Sequence, residues 1–194
     1  MNKIKILIPL IILVSCNSYY FPLWLDTPNR IINSLKAYSP GIDYIENQEY
    51  SFITVQMGQL RATLVLNSIE DEVFTWVGRD NVSIQTYRGV VIRTFGLEHN
   101  FKIIDPINSV RDILSNKKQS LSCNFDNPRL YELELIAKDY SQEINNISFV
   151  LVAHDINWRS EVSVIYGKNT LPTDVIQSLH PFYKPAKINF YYKY

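Results

Sequence analysis

From Ser51 to Leu97 polar and apolar residues alternate with a period of two, broken at short polar intervals. Leu60, Ala62, Leu64 and Leu66 alternate with Arg61, Thr63, Val65 and Asn67, the pattern of a strand with one buried face. Ser51 to Met57 precedes it across a turn at Gly58-Gln59, and the acidic turn Glu70-Asp71-Glu72 leads into Val73 to Leu97. That stretch reads as three short strands joined by two turns: Gly78-Arg79-Asp80-Asn81 has turn chemistry, and Arg88-Gly89 is a two-residue loop with glycine where a positive φ is needed. Val82, Ile84 and Thr86 fall on one face, and Val91, Arg93 and Phe95 on one face of the next strand. Arg93 is then either a stem packed flat with its head in solvent or a buried, paired charge, the first being commoner.

The same period returns later. Leu130, Glu132, Glu134 and Ile136 alternate with Tyr131, Leu133, Leu135 and Ala137 in a long strand over Arg129 to Tyr140, followed by strands at Ile147 to Ala153, Trp158 to Tyr166 and Ala186 to Tyr194. Helical spacing occurs twice. Asp26-Thr27-Pro28 is a helix start, Ile31, Ile32, Leu35 and Tyr38 supply an apolar stripe, and Pro40-Gly41 stops it. Asp105-Pro106 repeats the signal before Ile107, Val110, Ile113 and Leu114. That helix runs up to Ser115-Asn116 with Lys117-Lys118 as its solvated end, no element is assigned between there and Arg129, and Pro172 to Leu179 is compatible with a helical turn or an extended segment. The expected fold is mainly β: a curved antiparallel meander sheet or half-barrel with two or three short helices, forming a single domain over residues 26–194.

The N-terminus departs from this pattern. Lys3 and Lys5 precede an almost wholly apolar run from Ile6 to Val14, and Leu13-Val14-Ser15-Cys16 ends it. This is a secretory signal, too short for a span of roughly 20 residues. Its last four residues resemble the lipobox of bacterial lipoproteins, which implies cleavage between Ser15 and Cys16, acylation of Cys16 (palmitate among its chains) and a lipidated tether over residues 16–25. Asn17 follows the cysteine where aspartate would favour inner-membrane retention, so the resemblance points to the periplasmic face of the outer membrane of a Gram-negative bacterium. Two or more acyl chains hold a protein firmly where one holds it marginally.

Charge adds little. The 194 residues carry 19 basic and 19 acidic side chains, so no global field draws nucleic acid, and loss of Lys3 and Lys5 leaves the mature chain faintly acidic. With Cys16 acylated, Cys123 has no partner within the chain and reads as a small residue in a loop or partly buried strand end. Asp43, Glu46 and Glu49 lack the spacing and glycine of a calcium loop. His99, His154 and His180 have no second ligand at metal spacing and read as surface residues. No nucleophile elbow, phosphate-binding glycine loop or paired carboxylate motif is present, so catalytic, cofactor-binding and metal residues are all expected to be none.

Trp76-Val77, the polar turn, Arg93-Thr94-Phe95-Gly96-Leu97, Asp105-Pro106 and Trp158-Arg159-Ser160-Glu161 together resemble the YjbF/GfcB family of group 4 capsule lipoproteins. In this chain Arg79-Asp80-Asn81 stands where members carry an Ala-Asp-Gly-like turn. The resemblance implies a β-rich outer-membrane lipoprotein without catalytic activity, acting with other polysaccharide-secretion proteins in capsule or exopolysaccharide assembly or export. Trp76, Arg93, Thr94, Gly96, Leu97 and Trp158 are the motif residues, read as fixing register and packing. Partners expected are the membrane, through the lipid, an outer-membrane barrel or periplasmic secretion protein, and the polysaccharide itself, whose rings exposed aromatic residues can stack on. The alternative is a periplasmic carrier whose curled sheet encloses a lipid or other apolar ligand.

Overall fold

The computed structural model describes residues 45–193. Cys16 and the expected signal sequence, lipidated tether and helix after Pro28 lie outside them. The described chain is a meander: β1 (Phe52–Met57), β2 (Leu60–Glu70), β3 (Val73–Val77), β4 (Ser83–Tyr87), β5 (Val90–Phe95), β6 (Phe101–Ile103), β7 (Ser120–Asp126), β8 (Arg129–Gln142), β9 (Asn146–Ala153), β10 (Trp158–Tyr166), β11 (Pro172–Gln177) and β12 (Ala186–Tyr191). Each strand pairs antiparallel with its sequence neighbours, and β1 also pairs with β12, from Phe52↔Tyr191 to Met57↔Ala186. The expected half-barrel is therefore a closed barrel. Closure leaves no strand edge to recruit other chains.

Turn chemistry sets the hairpins. Asp71-Glu72 joins β2 to β3 with φ values of 50° and 65°, and Arg88-Gly89 joins β4 to β5 with 50° and 89°, the doubly left-handed geometry that matches strand twist. A Cβ at Gly89 would lie 2.7 Å from Val164 and 2.8 Å from Pro172, both on the opposite wall. Two elements differ from expectation: Pro172–Gln177 is a strand, and Ser120–Asp126, left without an element, is another. Leu121, Cys123 and Phe125 are buried there and alternate with Ser120, Ser122, Asn124 and Asp126. Among the described residues the α-helix of ordinary length is α1 (Pro106–Leu114), which turns Ser109, Val110, Ile113 and Leu114 inward and contacts β4 and β7.

A round barrel of twelve strands would be wider than side chains can fill, since about eight strands suffice for a packed interior. Here the barrel is flattened: β5 and β11, on opposite sides of the ring, are in contact. Rings from strands three positions apart also meet inside: Trp76 on β3 packs edge-on to Phe190 on β12 at 5.6 Å, and Phe125 on β7 to Trp158 on β10 at 5.4 Å. Beta5 and β6 share one paired position, Arg93↔Lys102. Gln177, fully buried on β11, takes up the backbone left over: the Val91 N–H donates to its Oε1 at 2.8 Å and its Nε2 donates to the Val91 carbonyl at 3.0 Å.

Bulges correct two predicted faces. Thr86 pairs with Val91 and Gln85 with Arg93, so Ile92 is an extra residue and Val90, Val91 and Ile92 are all buried, while Arg93 and Phe95 face solvent. On β8, Tyr131 and Glu132 together oppose Asn124, whose Oδ1 accepts from the Glu132 N–H at 2.8 Å. This turns Tyr131 outward, away from the inner face of Leu133 and Leu135 that simple alternation gave it.

Gln177→Leu leaves two buried backbone groups unpaired, and each such group costs about 1–3 kcal/mol. Urea denaturation of the mature chain should show a loss of about 3 kcal/mol; an unchanged midpoint would mean that the walls hold without this amide.

Candidate functional site

The motif residues separate into two roles. Trp76 is fully buried and donates from Nε1 to Thr86 Oγ1 at 3.0 Å. Thr94 Oγ1 accepts from the Phe101 N–H at 2.9 Å, joining β5 to β6 where ladder pairing is sparse. At Gly96, with φ of 78°, a Cβ would sit 2.7 Å from the Asn81 carbonyl oxygen, so any larger residue would push the β3–β4 turn away. Leu97 is clamped by Asn100, which accepts from its N–H and donates to its carbonyl, both at 3.0 Å. Trp158 packs on Phe125 in a cluster separate from the rings around Trp76. Arg93 alone of the six projects into solvent, as the commoner of its two sequence readings had it.

Around Arg93 the sheet forms an outer groove of about 230 Å³ across β5, β6, β7 and β8. Register builds it: Arg93 pairs with Lys102, Lys102 with Asn124, and the β8 bulge opposite Asn124 presents Tyr131. Phe95 lies two residues beyond Arg93 on the same face, and Arg129 closes the far end. Phe95 is 55% exposed and Tyr131 69%. Asp126, the groove's one carboxylate, is held by Asn100, whose backbone N–H and Nδ2 donate to its two oxygens at 2.6 Å. Its pKa is lowered because those hydrogen bonds favour the ionised form over the opposing effect of burial. Lys102, Arg129 and Tyr131 were not legible as one site because only the strand pairing joins residues so far apart in the chain.

A second concavity lies at the barrel mouth, where the β2–β3, β4–β5, β8–β9 and β10–β11 turns and the end of α1 gather around about 960 Å³. Phe74, Leu114 and Leu171 give it apolar walls, and Arg88 and Lys168 charged edges. Arg88 is tied to Glu72 at 3.0 Å and lies over the Tyr87 ring. Tyr166 donates to the Arg88 carbonyl at 3.0 Å, and burial pushes its phenol up to about 12.

Two side chains are more deeply buried than expected, Cys123 having been read as a loop or partly buried strand-end residue and His180 as a surface one. Cys123 is fully buried in mid-β7, and burial pushes its thiol up to about 12. His180 is also buried, and its ring stacks on His99 at 4.8 Å and meets Phe125 edge-on. The His99 Nδ1 donates to the Asn127 carbonyl at 2.6 Å. His180 Nδ1 accepts from the Phe182 N–H at 3.2 Å, which places its proton on Nε2, a buried atom with no partner. Burial, aided by His99 and opposed by Asp126, lowers the His180 pKa to about 4. Among the described residues no group of three or more His, Cys, Asp or Glu side chains is placed to hold a metal ion.

Comparison with known proteins is consistent with this picture. The family described as group 4 capsule polysaccharide lipoprotein gfcB, YjbF matches residues 26–161. The crystal structure of the hypothetical lipoprotein YmcC from Escherichia coli superposes with a TM-score of 0.57 at 14% identity, covering 93% of this chain and 98% of that one. At that identity the likeness concerns the fold. No curated protein matches the chain.

Because the folded His180 pKa lies below its ordinary value near 6.5, protonation favours the unfolded chain. The stability due to neutral His180 is complete above pH 6.5 and is lost as pH falls towards 4. His180→Phe should flatten the denaturation midpoint between pH 6.5 and 4.5, above the range in which Asp126 titrates. Cys123, the one thiol left once Cys16 is acylated or replaced, should react with a disulfide reagent at pH 8 only as fast as the chain opens; immediate labelling would contradict its burial.

Proposed function

Since the chain belongs to the group 4 capsule polysaccharide lipoprotein family, we propose that it is a lipid-anchored, non-catalytic accessory factor in capsule or exopolysaccharide assembly or export. Cys16, freed by cleavage after Ser15, carries the lipid, and Asn17 directs the protein to the periplasmic face of the outer membrane. The observation that carries the non-enzymatic reading is the barrel interior. Trp76, Phe190, Phe125, Trp158 and the Gln177–Val91 amide contact pack it, and several of the polar side chains buried there hydrogen-bond to the fold, whereas His180 Nε2 has no partner. Trp76 binds Thr86, Thr94 binds Phe101, and Ser160 donates to the Ser178 carbonyl at 2.6 Å. Contacts with other secretion proteins or with polysaccharide then fall to the outside of the sheet, where Phe95, Tyr131 and Ile176 are exposed.

The mouth cleft favours a second reading, a carrier that takes up an acyl chain or other apolar ligand. Its walls include Phe74, Leu114 and Leu171, and its volume of about 960 Å³ falls within the roughly 300–1,000 Å³ of small-molecule sites. Native mass spectrometry of protein purified from its host distinguishes the two: a co-purified lipid supports the carrier, and a bare chain with no uptake of a fluorescent acyl probe removes it.

Deletion of the protein should lower the surface polysaccharide, and Cys16→Ala should move it from the membrane to the soluble periplasmic fraction while abolishing palmitate labelling. Unchanged polysaccharide on deletion would overturn the accessory role, and membrane retention of the Cys16→Ala protein would overturn the lipid anchor.

A further inference from the structure

The pairing of β5 with β6 rests on the single position Arg93↔Lys102. Like charges directly opposite each other across strands destabilise a sheet, and neither side chain is relieved by a carboxylate: among the described residues neither Arg93, Lys102 nor Arg129 has an ion pair. Asp126, the nearest acid in the groove, points its oxygens at Asn100, although its register partner is Arg129. The sheet thus keeps three cations unneutralised around one groove, with two aromatic rings turned out beside them. A local rule broken without structural return is expected where a ligand supplies the missing partner.

The ligand's chemistry follows from the side chains. Guanidinium groups match carboxylates in a two-pronged fashion, and flat rings exposed at the surface favour stacking on other flat or apolar faces. A groove of about 230 Å³ is smaller than a usual small-molecule pocket of roughly 300 Å³ or more, so it suits one ring of a chain that continues past both ends. We propose that this outer groove binds a strand of acidic polysaccharide, with its carboxylates on Arg93, Lys102 and Arg129 and its sugar rings against Phe95 and Tyr131. The proposal deepens the accessory role by giving it a ligand, and it rests on that reading for the choice of a polysaccharide.

The test uses the full lipoprotein in neutral detergent, titrated with polygalacturonate, neutral dextran and inorganic polyphosphate at low salt. Polygalacturonate should bind, dextran should not, and added salt should weaken the complex. Arg93→Ala/Lys102→Ala should lower affinity about tenfold or more with no fall in thermal midpoint, since it removes a repulsion. Tyr131→Ala should weaken polygalacturonate but leave any residual polyphosphate binding unchanged. Absence of polygalacturonate binding, equal affinity in the double variant, or insensitivity to Tyr131→Ala would overturn the site, as would preferential binding to anionic lipid vesicles. These results are separable from the accessory role, because loss of surface polysaccharide on deletion is read in cells without reference to the groove.

Discussion

The amide of Gln177 on the backbone of Val91 is the contact on which the interior depends. Beta5 is paired to β4 along its length but to β6 at one position, so the Val91 N–H and carbonyl would face a dry interior unpaired. Water cannot reach them, and a buried orphan backbone group is among the more costly defects a fold can carry. Gln177 answers both groups from the opposite wall. That bond holds β5 and β11 at side-chain distance, which explains why twelve strands enclose packed rings instead of a lumen.

A filled barrel determines where function can reside. The inner face is committed to Trp76, Phe125, Trp158 and Phe190, and the closed β1–β12 seam offers no edge for strand addition. Among the described residues, what remains are the outer surface and the mouth. The outer surface is rigid because it is sheet, and its shape is tuned by bulges: one buries Val91 and Ile92 next to exposed Arg93, and another turns Tyr131 outward. A ligand arriving there meets side chains already in place.

The residues that carry the resemblance have a structural explanation in these terms. Gly96 must be glycine because the Asn81 carbonyl occupies the space of a Cβ, Thr94 replaces a missing ladder bond to β6, and Asn100 clamps Leu97. In the segment that carries the resemblance, β5 pairs with β6 at a single position, so specific side chains hold the two strands together.

Much of the fold was legible in the chain. Period-two alternation located most strands, Arg88-Gly89 announced its hairpin and Pro106 opened α1, while the exposure of Arg93 was one of two readings left open. Ser120–Asp126 carries an equally clear alternation, and the structure makes it a strand. The signal expected before Cys16 likewise rests on local pattern. Closure, the bulges and the burial of Cys123 and His180 belong to the tertiary structure. Each depends on which residue lies opposite which, a relation between positions as distant as Val91 and Gln177. Local composition states what a segment can become, and a one-residue bulge decides which face its side chains occupy, so the groove around Arg93 and Tyr131 exists only once the strands are in register.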